Sequence, residues 1–145
     1  MRLRAYKTSD LKAIFALDQV CFEAPFRFSE RAMRRFAEAR NALTVVAEDA
    51  GEIAGFCIAH VEGAVAYVVT LDVAPGFRRQ GLAGSMMRVL ESAAKNAGCG
   101  AMELHVSVEN EGAVAFYERE GYARVGRVKR FYGVGGDAWV YGKRL

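Results

Sequence analysis

Apolar residues recur along this chain with two periods, and each change of period marks a new element. Residues Arg2–Tyr6 read as a short strand. Thr8-Ser9-Asp10 offers helix-capping chemistry, and Leu11, Ile14, Phe15 and Asp18 follow at helical spacing. Ser29-Glu30 opens a second helix that carries Met33 and Phe36 on one face. Three strands come next: Leu43–Glu48, then Ile53–Val61 after the turn Asp49-Ala50-Gly51-Glu52, then Val65–Val73. Leu82, Met86, Val89, Leu90, Ala93 and Ala97 repeat at intervals of three, four and seven, with Gly98 as a stop, which predicts an amphipathic helix of about four turns. Met102–Val108 alternates as a strand, and Asn110 caps a short helix that ends before Gly121. Two closing strands fall near Tyr122–Arg130 and Asp137–Lys143. Strands first, then helix and strand in alternation, indicate an α/β or α+β domain with a mixed sheet.

Length and composition narrow the function classes. At 145 residues, with 52% hydrophobic and 26% charged residues, the chain has the size and make-up of one globular domain over residues 1–145. The net charge of +3 suits a small anionic ligand, but the Arg34-Arg35 and Arg78-Arg79 pairs are too sparse for a nucleic-acid stripe. Cys21, Cys57 and Cys99 lie far apart, with no CxxC or Cys/His metal spacing, so no metal is expected and a reducing, cytoplasmic setting is. The start, MRLRAYKTSDL, has no signal-length apolar run, and no stretch nears the roughly 18 apolar residues of a membrane span. No repeat or low-complexity segment is present.

The most informative stretch is Leu71-Asp72-Val73-Ala74-Pro75-Gly76-Phe77-Arg78-Arg79-Gln80-Gly81-Leu82-Ala83-Gly84. An apolar strand runs into a turn, two arginines, and small residues where the long helix begins. A helix start carries unpaired N–H groups and the positive end of the helix dipole. Gly81, Ala83 and Gly84 let an anion approach those donors, and Arg78 and Arg79 add charge. The same residues also read as a solvated turn leading into a helix. Neither GxxxxGK[ST] nor GxGxxG is present, which argues against nucleoside triphosphates and dinucleotides.

Arg78-Arg79-Gln80-Gly81-Leu82-Ala83 resembles the [RQ]-x-x-G-x-[GA] signature of the GNAT superfamily of N-acetyltransferases, and the likeness runs on through Asn110…Phe116-Tyr117…Gly121-Tyr122. The resemblance implies the GNAT fold, a central twisted mixed sheet of about six to seven strands flanked by about four helices. It also implies acetyl-CoA as co-substrate. Its pyrophosphate would sit on Arg78, Arg79, Gln80, Gly81, Leu82, Ala83 and Gly84, and its pantetheine arm along the backbone of Leu71 and Val73. Asn110 would add a hydrogen bond, and Tyr117 would be the general acid beside the sulfur.

Asn110 and Tyr117 are seven residues apart, two helical turns, so they share a face. Spacing alone reads Tyr117 as a core aromatic beside Phe116; the resemblance makes it the phenol that protonates a departing thiolate. On the strand Met102–Val108, alternation sets Glu103, His105 and Ser107 opposite Leu104 and Val106. His105 stands where bacterial ribosomal-protein acetyltransferases carry a catalytic glutamate. Its Leu-His-Val setting is similar to eukaryotic N-terminal acetyltransferases, in which such a histidine works through a water with a tyrosine that Tyr67 matches. A histidine with an ordinary value near 6.5 suits an α-ammonium of about 7.7–8.0. The alternative is a hydrogen-bonded sheet residue meeting an amine already neutral. His60 reads as structural.

Two loops bear on the acceptor. Cys21–Ser29 is aromatic-rich and resembles the Phe-Pro loop of N-terminal acetyltransferases, with Phe22 and Pro25 separated rather than adjacent. Arg130-Phe131-Tyr132 followed by Asp137-Ala138 is similar to their Tyr-Tyr…Asp-Ala signature, with Phe131 replacing the first tyrosine. These likenesses imply a protein or peptide N-terminus as acceptor, contacted by Phe22, Pro25, Tyr67, Phe131 and Tyr132, and transfer within a ternary complex. The alternatives are a small-molecule or lysine acetyltransferase, and an acyl-CoA sensor without turnover. No membrane or direct nucleic-acid partner is expected, and the assembly is expected to be a monomer or weak homodimer.

Overall fold

A computed structural model describes residues 1–145 and contains one seven-stranded sheet with four α-helices. In chain order these are β1 (Arg2–Ala5), α1 (Leu11–Cys21), α2 (Glu30–Ala37), β2 (Ala42–Asp49), β3 (Glu52–Glu62), β4 (Val65–Val73), α3 (Leu82–Asn96), β5 (Ala101–Ser107), α4 (Glu111–Arg119), β6 (Ala123–Val128) and β7 (Ala138–Arg144). The strands lie in the order β1-β2-β3-β4-β5-β7-β6. Only β4 and β5 run parallel; every other pair is antiparallel. This is the expected mixed sheet at the upper end of the expected strand count. The predicted strand Tyr122–Arg130 stops at Val128, because Arg130 turns into the loop with φ of 54°.

Alternation along the inner strands sorts side chains onto two layers. Val45 and Ala47 of β2 and Cys57 and Ala59 of β3 pack with Met86, Met87, Leu90 and Ala94 of α3. Val46, Phe56 and Ile58 face the other way, onto Leu11, Ile14 and Leu17 of α1 and Met33 and Ala37 of α2. The β2–β3 turn is closed by Ala50 (φ 50°) and Gly51 (φ 84°), both left-handed as a two-residue hairpin loop requires. Arg4 of β1 grips Asp10 with two bonds of 2.8 and 2.9 Å, and Asp10 also accepts the Lys7 N–H at 2.8 Å, which fixes the start of α1 against the sheet.

Strand β4 breaks the alternation, and it does so at the site. Ile58 pairs with Thr70 while Ala59 pairs with Val68, so Val69 is an extra residue bulged out of register. Before the bulge, Ala66 and Val68 belong to the α3 layer; after it, Leu71 and Val73 do. Thr70 and Asp72 are thereby turned toward α1, onto the face they would have missed without the insertion. Pairing of β4 with β5 ends at Val68 and Leu104. Residues Thr70–Val73 therefore have a strand partner on the β3 side alone, and the bulged Val69 has one on neither side.

Gly55 of β3 marks the tightest packing beneath this break. A Cβ there would meet the Asp72 carbonyl at 2.7 Å and Met86 Cε at 2.9 Å. Gly55→Ala should lower unfolding free energy by about 1–3 kcal/mol through overpacking, as read by denaturant titration. Wild-type stability in that variant would show that β4 yields without cost.

Candidate active site

The parting of β4 from β5 opens a cleft of about 830 Å³. Tyr67 and His105 project into it from neighbouring strands, and Tyr67 Oη lies 2.8 Å from His105 Nδ1. The bond occupies one ring nitrogen and leaves Nε2 for chemistry. Burial lowers the pKa of His105 from 6.5, with Glu103 pulling weakly the other way, so the imidazole is neutral at pH 7. Burial likewise pushes Tyr67 up to about 12, so it stays a phenol.

The two aromatic loops meet over these residues. Phe131 stacks flat on His105, with centroids 4.0 Å apart and planes at 4°. Tyr132 packs edge-on against Phe26 of the α1–α2 loop at 4.9 Å. Phe22 and Pro25 line the same cleft. Phe131, where the resemblance had lost a hydroxyl, instead supplies a face to the imidazole. Asp137 holds the hairpin in place: it accepts the Arg130 N–H at 2.9 Å and pairs with Arg127 at 2.7 Å, and these bonds keep its pKa below the ordinary carboxylate value.

Tyr117 of α4 enters from the far side of the cleft, nine-tenths buried, and burial raises its pKa. Asn110 does cap α4, its Oδ1 accepting the Ala113 N–H at 3.1 Å, and it lines the cleft. The sequence-predicted residues Leu71, Asn110, Tyr117, Tyr67 and His105 thus share one cavity.

A second cleft of about 390 Å³ adjoins it and takes in Val73, Arg78, Arg79, Gly81, Leu82, Ala83 and Gly84. Arg79 (φ 62°) and Gly81 (φ 77°) both adopt left-handed backbone, turning the chain into α3. The first helical bond there runs from Ser85 N–H to Gly81 C=O, and no side chain caps the helix. The N–H groups of Leu82, Ala83 and Gly84 consequently have no partner within the helix, the arrangement an anion needs. Gly81 has open space where a side chain would stand. Arg78 donates through Nε to the Val73 carbonyl at 3.0 Å and so folds back on the strand; Gln80 stays beside the turn, 3.5 Å from the Gly76 carbonyl. An uncapped helix start, four arginines with Arg88 and Arg119, and the open edge of β4 suit a pyrophosphate with an extended amide arm.

A family model described as acetyltransferase (GNAT) family matches residues 11–122. The chain belongs to this GNAT family. By that membership it is an acyltransferase. N-alpha-acetyltransferase 30 of Schizosaccharomyces pombe is 36% identical over 75 residues, which are 52% of this chain and 50% of that protein, so the match spans half the length of this curated relative. Among solved structures, the ribosomal-protein-S18-alanine N-acetyltransferase of Escherichia coli aligns with a TM-score of 0.89 and 24% identity over 99% of this chain and 93% of that one. An aminoglycoside 6'-N-acetyltransferase complexed with coenzyme A gives 0.88 and 15% over 99% and 97%. At those identities the two structures establish the GNAT fold.

Several residues of this GNAT site escaped sequence reading. His60 donates its Nε2–H to the Phe36 carbonyl at 2.8 Å, and it lines the cleft with Phe28 and Phe36. Arg88 and Arg119 come from different helices to one cleft, which no local pattern announces. Asp72 is buried outside the lining of either cleft, and its one sequence signal is an acid inside an apolar strand run. No group of three His, Cys, Asp or Glu side chains is placed to hold a metal.

Gly81→Val would force a β-branched side chain into left-handed backbone at the phosphate turn. Calorimetry should show CoA binding weakened about tenfold or more, at about 1–3 kcal/mol for such strain. Unchanged affinity would remove the turn from the cofactor site.

Proposed function

We propose that the chain, as one acetyltransferase domain over residues 1–145, transfers acetyl from acetyl-CoA to the N-terminal α-amine of a protein or peptide, directly and within a ternary complex. The observation that carries this reading is the Tyr67–His105 pair set in the floor of an aromatic cleft roofed by Phe131 and Tyr132. Flat aromatics flanking a largely apolar cleft suit a peptide backbone and an apolar first side chain. The curated relative named as an N-alpha-acetyltransferase supports the same acceptor class.

The chain's own residues divide the proton work. In the tautomer that donates Nδ1–H to Tyr67 Oη, His105 carries its lone pair on Nε2 and takes the ammonium proton, directly or through one water. The neutral amine then forms its bond to the acetyl carbon, and backbone N–H groups on the open edge of Val69–Val73 face the developing oxyanion. As the carbon–sulfur bond breaks, Tyr117, kept protonated by burial, donates to the departing sulfur, and the second proton shed by the nitrogen as it becomes an amide restores the phenol. Leu71 and Val73 would hold the pantetheine arm, Asn110 would donate to it, and Arg78 through Gly84 would hold the pyrophosphate. An acetyl-enzyme is disfavoured: Cys57 and Cys99 are buried, burial pushes Cys57 up to about 12, and the Cys21 thiol is committed to the Val73 carbonyl. Three free thiols fit a reducing compartment, and we place the protein in the cytoplasm. We take the working form as a monomer or weak homodimer.

Release of CoA should be measured with two peptide pools, one with free α-amines and no lysine, the other with blocked N-termini and internal lysines. Turnover is expected in the first pool; turnover confined to the second would make the enzyme a lysine acetyltransferase. His105→Ala should depress the rate chiefly below the α-ammonium value of about 7.7–8.0 and recover toward wild type above it, where the amine is already neutral. A loss uniform across pH would assign His105 to packing.

A further inference from the structure

Beneath the acceptor loop lies a polar contact that the chemistry above does not use. Asp18 of α1 is fully buried and Asp72 of β4 is 1% exposed. Asp18 Oδ2 accepts the Phe28 N–H at 2.8 Å, and Asp72 Oδ1 accepts the Thr70 hydroxyl at 2.6 Å. Asp18 Oδ1 and Asp72 Oδ2 have no donor at all. The two carboxyl groups stand within hydrogen-bonding range of each other.

Two buried acceptors in contact need a hydrogen between them. The surroundings offer no other source. Arg78 is the cation facing Asp72, but it is exposed, with its Nε on the Val73 carbonyl. Cys21 of α1, Cys57 of β3 and Tyr117 of α4 also sense the Asp72 charge, and each stays neutral because burial raises it. Burial first, and Asp18 second, hold Asp72 well above the ordinary carboxylate value.

We propose that Asp18 and Asp72 share one proton, and that this acid–carboxylate bond fastens the acceptor-facing loop to the strand that carries the acetyl donor, making both aspartates positioning residues for the amine. The mechanical logic follows the chain. Asp18 grips the Phe28 N–H, and its neighbour Gln19 grips the Phe28 carbonyl at 2.8 Å. Phe28, Phe26 and Phe22 form one wall of the acceptor cleft. Asp72 lies one residue from both Leu71 and Val73. The bulge at Val69 turns Asp72 toward α1; without it this acid would face α3. The positioning role rests on the acceptor reading above, whereas the shared proton does not.

Carboxamides separate the alternatives without changing side-chain shape. Asp72→Asn gives Asp18 Oδ1 an N–H and still accepts from Thr70; Asp18→Asn serves Asp72 in the same way. The double variant sets two N–H₂ groups against each other, and flipping one amide to relieve them costs the Thr70 or Phe28 bond. Each single variant should keep near-wild-type KM for the best peptide of the free-amine pool. The double variant should raise that KM about tenfold, as a buried unsatisfied donor implies, with KM for acetyl-CoA within about twofold.

The proton has its own readouts. Infrared spectra at pH 7 should show a protonated-carboxyl C=O band in the wild type that disappears in Asp72→Asn. A carboxyl whose folded value is raised stabilises the native state only while protonated, so wild-type stability falls as pH rises from about 3.8 toward the raised value. The melting temperature of Asp72→Asn should therefore gain on the wild type across that window. No acid band and parallel melting profiles would overturn the shared proton. Additive effects in the double variant, or an equal rise in both KM values, would overturn the positioning role. Failure of every free-amine peptide would sink the acceptor reading and the positioning with it, leaving the band and the melting profiles to decide the proton.

Discussion

Strands in the middle of a sheet normally stay paired along their length, because a backbone amide buried without a partner costs free energy. Here β4 and β5 pair over four residues and then part after Val68 and Leu104. One bulged residue, Val69, accompanies the break and changes which face every later side chain of β4 meets. The open edge, the cleft between the strands and the entry of Tyr117 from α4 all depend on that break. So does the placing of Asp72 against Asp18, which rewrites β4 from an ordinary apolar strand into one with an acid on its α1 face. A parallel pair continued to Val73 would fill the space a ligand needs.

Burial acts on the site's titratable groups in one direction, toward neutrality. It lowers His105, raises Tyr67 and Tyr132 to about 12, and raises Tyr117. The result is that these four side chains are uncharged at neutral pH. Charge is concentrated instead at the neighbouring cleft, where arginines surround the uncapped start of α3. The two clefts thus differ in chemistry, one aromatic and largely apolar, the other lined by arginines, and strand β4 contributes to both.

The aromatic wall of the larger cleft is assembled from segments that are far apart in the chain. Phe22 to Phe28 lie between α1 and α2, and Phe131 with Tyr132 lies between β6 and β7. Each loop is tied by a carboxylate rather than by packing alone, Asp18 to the Phe28 N–H and Asp137 to the Arg130 N–H. Charged acceptors bind backbone N–H groups more strongly than neutral ones do, so a few bonds suffice to order loops that bury little apolar surface.

Local pattern determined most of the architecture. The helical repeat from Leu82, the two-residue turn at Ala50-Gly51 and the alternation of β5 each involve neighbours within a turn or a pleat, and the elements appear at those residues. The uncapped turn into α3 was legible for the same reason: Arg78 through Gly84 are contiguous, and their chemistry is that of one helix start. Tyr67, His105 and Tyr117 were legible as candidates, but their meeting was not, since 38 residues separate the pair that bonds at 2.8 Å. What only the tertiary structure decided is parity and convergence. A single inserted residue at Val69 inverts which face Thr70 and Asp72 occupy, and no hydrophobic pattern of β4 records it, because apolar residues stand on both sides of the bulge. The stacking of Phe131 on His105, the arrival of Arg88 and Arg119 at one cleft, and the contact of Asp18 with Asp72 all join elements that are not adjacent in sequence. Their interaction energies depend on distance in space, which a linear pattern does not contain.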